Sequence, residues 1–154
     1  MLLAEILSDK LVVPELKATD RWEAIDELLD LLVANGKVSP ENREAVASVV
    51  KKREKSMSTG IGFGIGIPHA SSDLVTSAIG AFGRSLNGVN FDALDNQPVK
   101  LVMLFLVPQG QFQKHLHTLA DIATLFRNKD FRTEIEGAAD QAGIYAAIKG
   151  HSSK

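Results

Sequence analysis

The chain has 154 residues, 45% hydrophobic and 23% charged, the size and balance of one globular domain that can bury most of its apolar surface in a single core. Lys and Arg number 17 and Asp and Glu 19, a net charge of -2 that supplies neither a basic footprint for nucleic acid nor a polybasic patch for a membrane surface. Cysteine is absent, which excludes disulfides, thiolate nucleophiles and cysteine-ligated metals.

Met1-Leu2-Leu3-Ala4-Glu5 lacks a basic start ahead of an apolar stretch and does not read as a signal peptide. No apolar run is long enough to span a bilayer, so a cytoplasmic protein without membrane insertion is expected. No linker or repeat divides the chain, which predicts one domain over residues 1–150 and a short tail, 151–154. Leu11-Val12-Val13 ahead of Pro14 is a short strand candidate. Asp20-Arg21-Trp22-Glu23 resembles a capping box and leads into Ile25, Leu28, Leu29 and Leu32 at helical spacing. Asn35-Gly36 supplies a left-handed stop. Ser39-Pro40 starts a second helix with Val46, Val49 and Val50 on its apolar face, ending near Arg53-Glu54-Lys55.

A glycine-rich loop follows. Beyond it, Ser77 to Arg84 and Val99 to Val107 read as strands, the second apolar throughout and therefore central. Leu116, Leu119, Ala120, Ala123 and Phe126 mark another amphipathic helix, and two shorter helices are expected around Phe131–Ile135 and Gln141–Ile148. Helices before, between and after strands imply an α/β layer architecture.

The chemistry is concentrated in Ser58-Thr59-Gly60-Ile61-Gly62-Phe63-Gly64-Ile65-Gly66-Ile67-Pro68-His69-Ala70. Alternating glycines let backbone N–H groups approach an anion closely. A dinucleotide fingerprint fails, because the third glycine falls on Ile65 or Ile67, and the Gly-Lys-Ser/Thr of a P-loop is missing. Two readings remain: an anion cradle beside His69, or a strand-edge turn with His69 at the surface. Lys114-His115-Leu116-His117 favours the first. Residues two apart on a helix project about 200° from each other, so His115 and His117 cannot share a site. His115 borders the apolar stripe near a helix N-terminus, where N–H groups and the dipole favour phosphate. Zinc is disfavoured by ligand spacing, and the serine-nucleophile elbow is missing.

Arg53-Glu54-Lys55, Ser58-Thr59-Gly60-Ile61-Gly62 and Ile65-Gly66-Ile67-Pro68-His69-Ala70 together resemble the phosphohistidine signature of the type-2 enzyme IIA (EIIA) family of the phosphotransferase system (PTS). That branch holds fructose, mannitol and nitrogen-regulatory members. Phe91-Asp92-Ala93-Leu94-Asp95-Asn96-Gln97-Pro98-Val99 and Leu106-Val107-Pro108 followed by His115-Leu116-His117-Thr118-Leu119 resemble the nitrogen-type members. The resemblance implies a mixed β-sheet flanked by helices on both faces, with no cofactor and no metal. It implies His69 as the phosphorylated residue, His115 as a second active-site histidine and Arg53 as the active-site arginine. The partners implied are an HPr-like or NPr-like phosphocarrier donor and an EIIB-like acceptor or a regulatory target. Phe63 stands where many relatives have Asn, and Gly66 where Ala is usual. The first departure suggests that a polar group is missing beside the phosphate, the second a looser strand under His69.

A neutral imidazole is an adequate nucleophile near pH 7, and an arginine fork can pair two phosphate oxygens. The N–H groups of Gly62 and Gly64 are candidate phosphate contacts. Thr59 either donates to the phosphate or caps the turn, and Arg53 reads otherwise as one more cation at a helix C-terminus. An apolar rim including Phe63 would serve transient docking. Three functions follow: a phosphoryl carrier in a transport cascade, a regulatory module read through the charge at His69, or a binding domain that has lost transfer.

Overall fold

The computed structural model describes residues 3–152; Met1, Leu2, Ser153 and Lys154, which hold the start of the N-terminal reading and the end of the tail, lie outside the described residues. In chain order the elements are α1 (Leu3–Ile6), β1 (Val12–Val13), α2 (Arg21–Ala34), α3 (Arg43–Ser56), β2 (Gly60–Gly62), β3 (Ile65–Gly66), β4 (His69–Ser72), β5 (Ile79–Val89), β6 (Val99–Pro108), α4 (Leu116–Arg127), α5 (Lys129–Gly137) and α6 (Gln141–Ser152).

Local chemistry sets the helix starts and stops. Asp20 caps α2 by accepting from the Glu23 amide at 2.9 Å. The Glu23 carboxylate turns back as the capping box expects, but to the amide (2.9 Å) and hydroxyl (2.8 Å) of Thr19. Ile25, Leu28, Leu29 and Leu32 are all fully buried, and Gly36 takes the left-handed conformation that ends the helix. Ser39-Pro40 opens a 3₁₀ turn that runs into α3. The buried face of α3 is Val46, Ala47, Val50 and Glu54, whereas Val49, expected inside, is exposed. In α4 the buried positions are Thr118, Ile122 and Phe126; Leu116 and Ala120, expected on the apolar face, are exposed. The buried face is thus the i, i+4, i+8 row Thr118, Ile122 and Phe126, which opens on a polar residue. The last helix runs through Ser152, so His151 and Ser152 of the expected tail are helical.

The sheet is mixed, in the order β1-β5-β6-β3-β2, with β4 on the same side of β6 as β3. Strand β6 is central and buried from Leu101 to Pro108, as its continuous apolar run predicts. α2 and α3 pack on each other and against β4, β5 and β6. α4, α5 and α6 pack in series on the other face, where Phe82 of β5 meets Phe126 edge-on at 5.4 Å and Phe126 stacks on Phe131 at 5.8 Å. The glycine-rich run is not a loop: it is the β2–β3 hairpin. β3 and β4 form one line along β6, since Ile65 pairs with Leu101 and His69 with Phe105 at a constant offset. Pro68, which has no N–H to give, interrupts the line without shifting its register.

Arg84 ties the two halves of the fold together. It is buried, and it donates to the carbonyls of Pro14 (2.8 Å), Ile135 (2.7 Å) and Ala138 (2.7 Å). Two of these carbonyls close the C-terminus of α5, where the helix dipole favours a cation. Arg84→Met removes the donors from all three carbonyls, of which that of Ile135 is buried. We expect a loss of about 3 kcal/mol, read as a lower denaturation midpoint with an unchanged slope against denaturant.

Candidate functional site

Alternate peptide groups of the β3–β4 line face opposite ways. The carbonyls of Gly64 and Pro68 accept from the amides of Leu101 and Phe105, each at 3.0 Å. Ile67 lies between them and faces away from β6: its N–H donates to Thr59 O at 3.3 Å. The carbonyl of Ile67 is 2.7 Å from His69 Nδ1. A carbonyl can only accept, so Nδ1 carries the proton and Nε2 keeps its lone pair. Burial lowers the His69 pKa, the Ile67 hydrogen bond opposes that shift, and the positive charge of Arg53 lowers it further. The ring is therefore a neutral base at pH 7, mostly buried and with one fixed tautomer.

Paired residues of parallel strands project to the same face, so His69 and Phe105 lie side by side. The His115 ring meets Phe105 edge-on at 6.2 Å, and the Phe112 ring is 5.7 Å from His69. Among the described residues the buried Nδ1 of His115 finds no hydrogen-bond partner. Its pKa is lowered by burial first and then by Lys114. His117 projects to solvent, with Nε2 3.5 Å from Asp121 one turn on. The structure thus brings His115 to the neighbourhood of His69 and leaves His117 outside. Arg53 is half-buried at the end of α3 and donates through Nη1 to Met57 O at 3.0 Å.

Other candidates are not brought together. Gly62, Phe63 and Gly64 have φ of 94°, 59° and 74°, and Phe63-Gly64 forms a hairpin turn with both central residues left-handed. Five residues of extended chain separate Gly64 from His69, roughly 16 Å at about 3.3 Å each. The amides of Gly62 and Gly64 therefore cannot reach a group on His69, and Phe63 stands at the far end of the same line. The glycines serve the hairpin instead. A Cβ on Gly60 would come within 2.7 Å of Ala93 Cβ, and one on Gly66 within 2.8 Å of the Phe91 ring. Gly66 is thus room for Phe91, not slack beneath His69. Phe63 occupies a turn position that favours Asn for its backbone conformation, so the departure there concerns the turn. Exposed apolar side chains on the segments that carry Arg53 and His115 include Met57 and Leu116, and Phe112, against the His69 ring, is half-buried.

Thr59 donates its hydroxyl proton to Glu54 Oε1 at 2.5 Å and its amide to Oε2 at 2.9 Å, which commits it to the fold. Glu54, fully buried and 3.4 Å from Arg21 Nη1, is the residue that sequence reasoning misses. Its signal is the spacing Val46, Val50, Glu54, which carries the buried stripe into a run of charges.

Two measurements follow from this geometry. Phe63→Asn relieves a left-handed aromatic that gains no burial, and should stabilise the protein by about 1 kcal/mol in chemical denaturation. His69 and His115 both titrate below the ordinary histidine value when folded, so the unfolded chain binds more protons in that window. Their stability contribution is complete above the unfolded value and is lost as pH falls toward the lowered folded values. Stability should decline as pH falls below about 6.5, and a His69→Gln/His115→Gln variant should show a shallower decline.

Residues 5–151 match the family described as "Phosphoenolpyruvate-dependent sugar phosphotransferase system, EIIA 2". A "PTS system fructose-specific EIIA component" of Haloferax volcanii is 41% identical over 112 residues, 73% of this chain and 71% of its own. The crystal structure of nitrogen regulatory protein IIA-Ntr from Neisseria meningitidis superposes with a TM-score of 0.84 at 31% identity, covering 95% of this chain and 98% of that one. The mannitol enzyme IIA of Escherichia coli, solved in complex with its phosphorylated enzyme IIB, has the same fold with a TM-score of 0.77 at 20% identity, over 94% of this chain and 97% of that one.

Proposed function

The chain belongs to the EIIA type-2 family of phosphoryl carriers in the phosphoenolpyruvate-dependent sugar phosphotransferase system, and we propose that it carries its phosphoryl group on Nε2 of His69. The observation that carries this assignment is the hydrogen bond from Nδ1 to the Ile67 carbonyl. It leaves Nε2 as the nitrogen with a free electron pair and holds the ring in one orientation. The Nε2 pair attacks the phosphorus of a phosphorylated donor; the Nε2–P bond forms as the donor's bond to phosphorus breaks. The proton on Nδ1 stays where it is, and the Ile67 carbonyl accepts from it more strongly as the ring gains positive charge. Onward transfer is the reverse displacement to an acceptor.

Arg53, half-buried and electrostatically coupled to His69, supplies positive charge for the equatorial oxygens. His115, with a buried Nδ1 awaiting a partner, supplies a second ring next to the transferred group. No step needs a metal or a cofactor. The donor is an HPr-like or NPr-like phosphocarrier. The acceptor is EIIB-like, as the E. coli mannitol pair suggests. Both dock in turn over Met57, Phe112 and Leu116. No described helix is long and apolar enough to cross a membrane, and we place the protein in the cytoplasm beside its donor.

A regulatory role has its own support in the 31% identity to the Neisseria IIA-Ntr across nearly the whole chain. Phosphorylation adds about 1.5 to 2 negative charges to this apolar surface, so a partner without a basic group opposite His69 binds the unphosphorylated form more tightly.

Incubation with the phosphocarrier cascade, followed by mass spectrometry and phosphorus NMR, tests the assignment. Phosphate is expected on Nε2 of His69 and to be absent from His69→Ala. His115→Ala should slow transfer by about a hundredfold, while His117→Ala transfers normally. Full phosphorylation of His69→Ala, or equal losses in the two other variants, would refute the scheme.

A further inference from the structure

A carboxylate at a fully buried helical position carries a desolvation cost that an apolar residue would avoid. Glu54 sits at such a place, where a leucine would continue the Val46–Val50 stripe. Its two oxygens are held by the Thr59 amide at 2.9 Å, the Thr59 hydroxyl and Arg21 Nη1 at 3.4 Å. Arg21 is itself fixed: Nη1 donates to Phe91 O at 3.3 Å, and its guanidinium lies 4.4 Å from the Trp22 ring centroid. Glu54 and Thr59 therefore close the corner between α3 and β2 from both ends. Inside that corner is Met57, whose carbonyl accepts from Arg53 Nη1 at 3.0 Å. The same corner supplies Thr59 O, which accepts the Ile67 amide just ahead of His69. The guanidinium is thus anchored to a segment whose two ends are clamped to one buried charge.

We propose that Glu54 is a positioning residue, which clamps the Lys55–Ser58 corner through Thr59 and Arg21 and so aims the Arg53 guanidinium at His69. Its importance for transfer rests on the reading of His69 as the phosphoryl acceptor; the clamp itself does not. A charge this deeply buried is retained because no apolar side chain can bind the Thr59 amide, the Thr59 hydroxyl and Arg21 together.

The test is the NMR titration of the His69 imidazole, which senses the Arg53 charge and needs no phosphodonor. Arg53→Gln is expected to raise the His69 titration midpoint by removing a nearby positive charge. Thr59→Val, which keeps the Glu54 charge but loses its hydroxyl donor, should raise it in the same direction, by at least a third of that shift, and Thr59→Ser should restore the wild-type midpoint. Thr59→Val should have no effect in an Arg53→Gln background, because the effect acts through Arg53. Glu54→Gln should also raise the midpoint, whereas loss of a carboxylate acting as a charge alone would lower it. An unchanged midpoint in Thr59→Val, or the same shift with and without Arg53, overturns the proposal. In phosphotransfer assays Glu54→Gln should lower kcat about tenfold with little change in KM. If the titrations behave as expected but phosphate maps elsewhere than His69, the clamp stands and the phosphoryl assignment falls.

Discussion

Strand alternation in one short stretch governs the chemistry of the whole molecule. From Gly64 to Ser72 the chain runs along β6 and bonds to it through the peptide groups of every second residue. The groups between must find partners on the far side, where β2 begins only at Gly60. The Ile67 amide meets Thr59 O, at the last point where the hairpin can serve it. The Ile67 carbonyl turns instead to the His69 ring. Pro68 between them cannot compete for an acceptor, and its fixed φ limits how the line can move. Backbone geometry, with no side-chain machinery, thus decides which imidazole nitrogen is free.

The remaining parts are arranged around that nitrogen by charge. Burial keeps the ring neutral, and Arg53 places a positive charge near enough to favour neutrality further. The same positive charge that resists protonation welcomes an anion, so one residue acts usefully in both states of the ring. Phe105 and Phe112 hold water away from the two histidines and leave an apolar margin that a passing protein can cover. These features suit repeated docking and release, which a tightly hydrogen-bonded surface would hinder.

Much of this is legible in the sequence because it rests on local patterns. The capping Asp20, the Asn35-Gly36 stop, the apolar run of β6 and the opposed histidines 115 and 117 are short-range features, and the structure follows them. The glycine run misleads because four residues of one kind answer to different constraints. Gly64 meets the left-handed backbone of a turn and Gly62 shares that sign of φ, while Gly60 and Gly66 make room for Ala93 and Phe91, some thirty residues away in sequence. An alternating pattern carries no mark of which cause applies at each position. Arg84 and Glu54 are hidden for another reason: the carbonyls that hold Arg84 come from distant segments, and Glu54 is held by the remote Arg21 together with Thr59, which only the turn after α3 brings back to it. Apolar periodicity places Val49, Leu116 and Ala120 inside, whereas the buried rows are Val46–Val50–Glu54 and Thr118–Ile122–Phe126, each of which includes a polar residue that an apolar pattern passes over.

The hairpin tip has a consequence for how the domain can be extended. Phe63 and Gly64 form the turn at the end of a two-strand edge, at the opposite end of the β3–β4 line from His69. Such tips are where extra polypeptide is best tolerated, since the strands on either side are fixed by their own pairing. A fluorescent reporter or a second binding module grafted between these two residues would sit at the end of the strand line away from His69, where it leaves the pairing of β4 with β6 untouched.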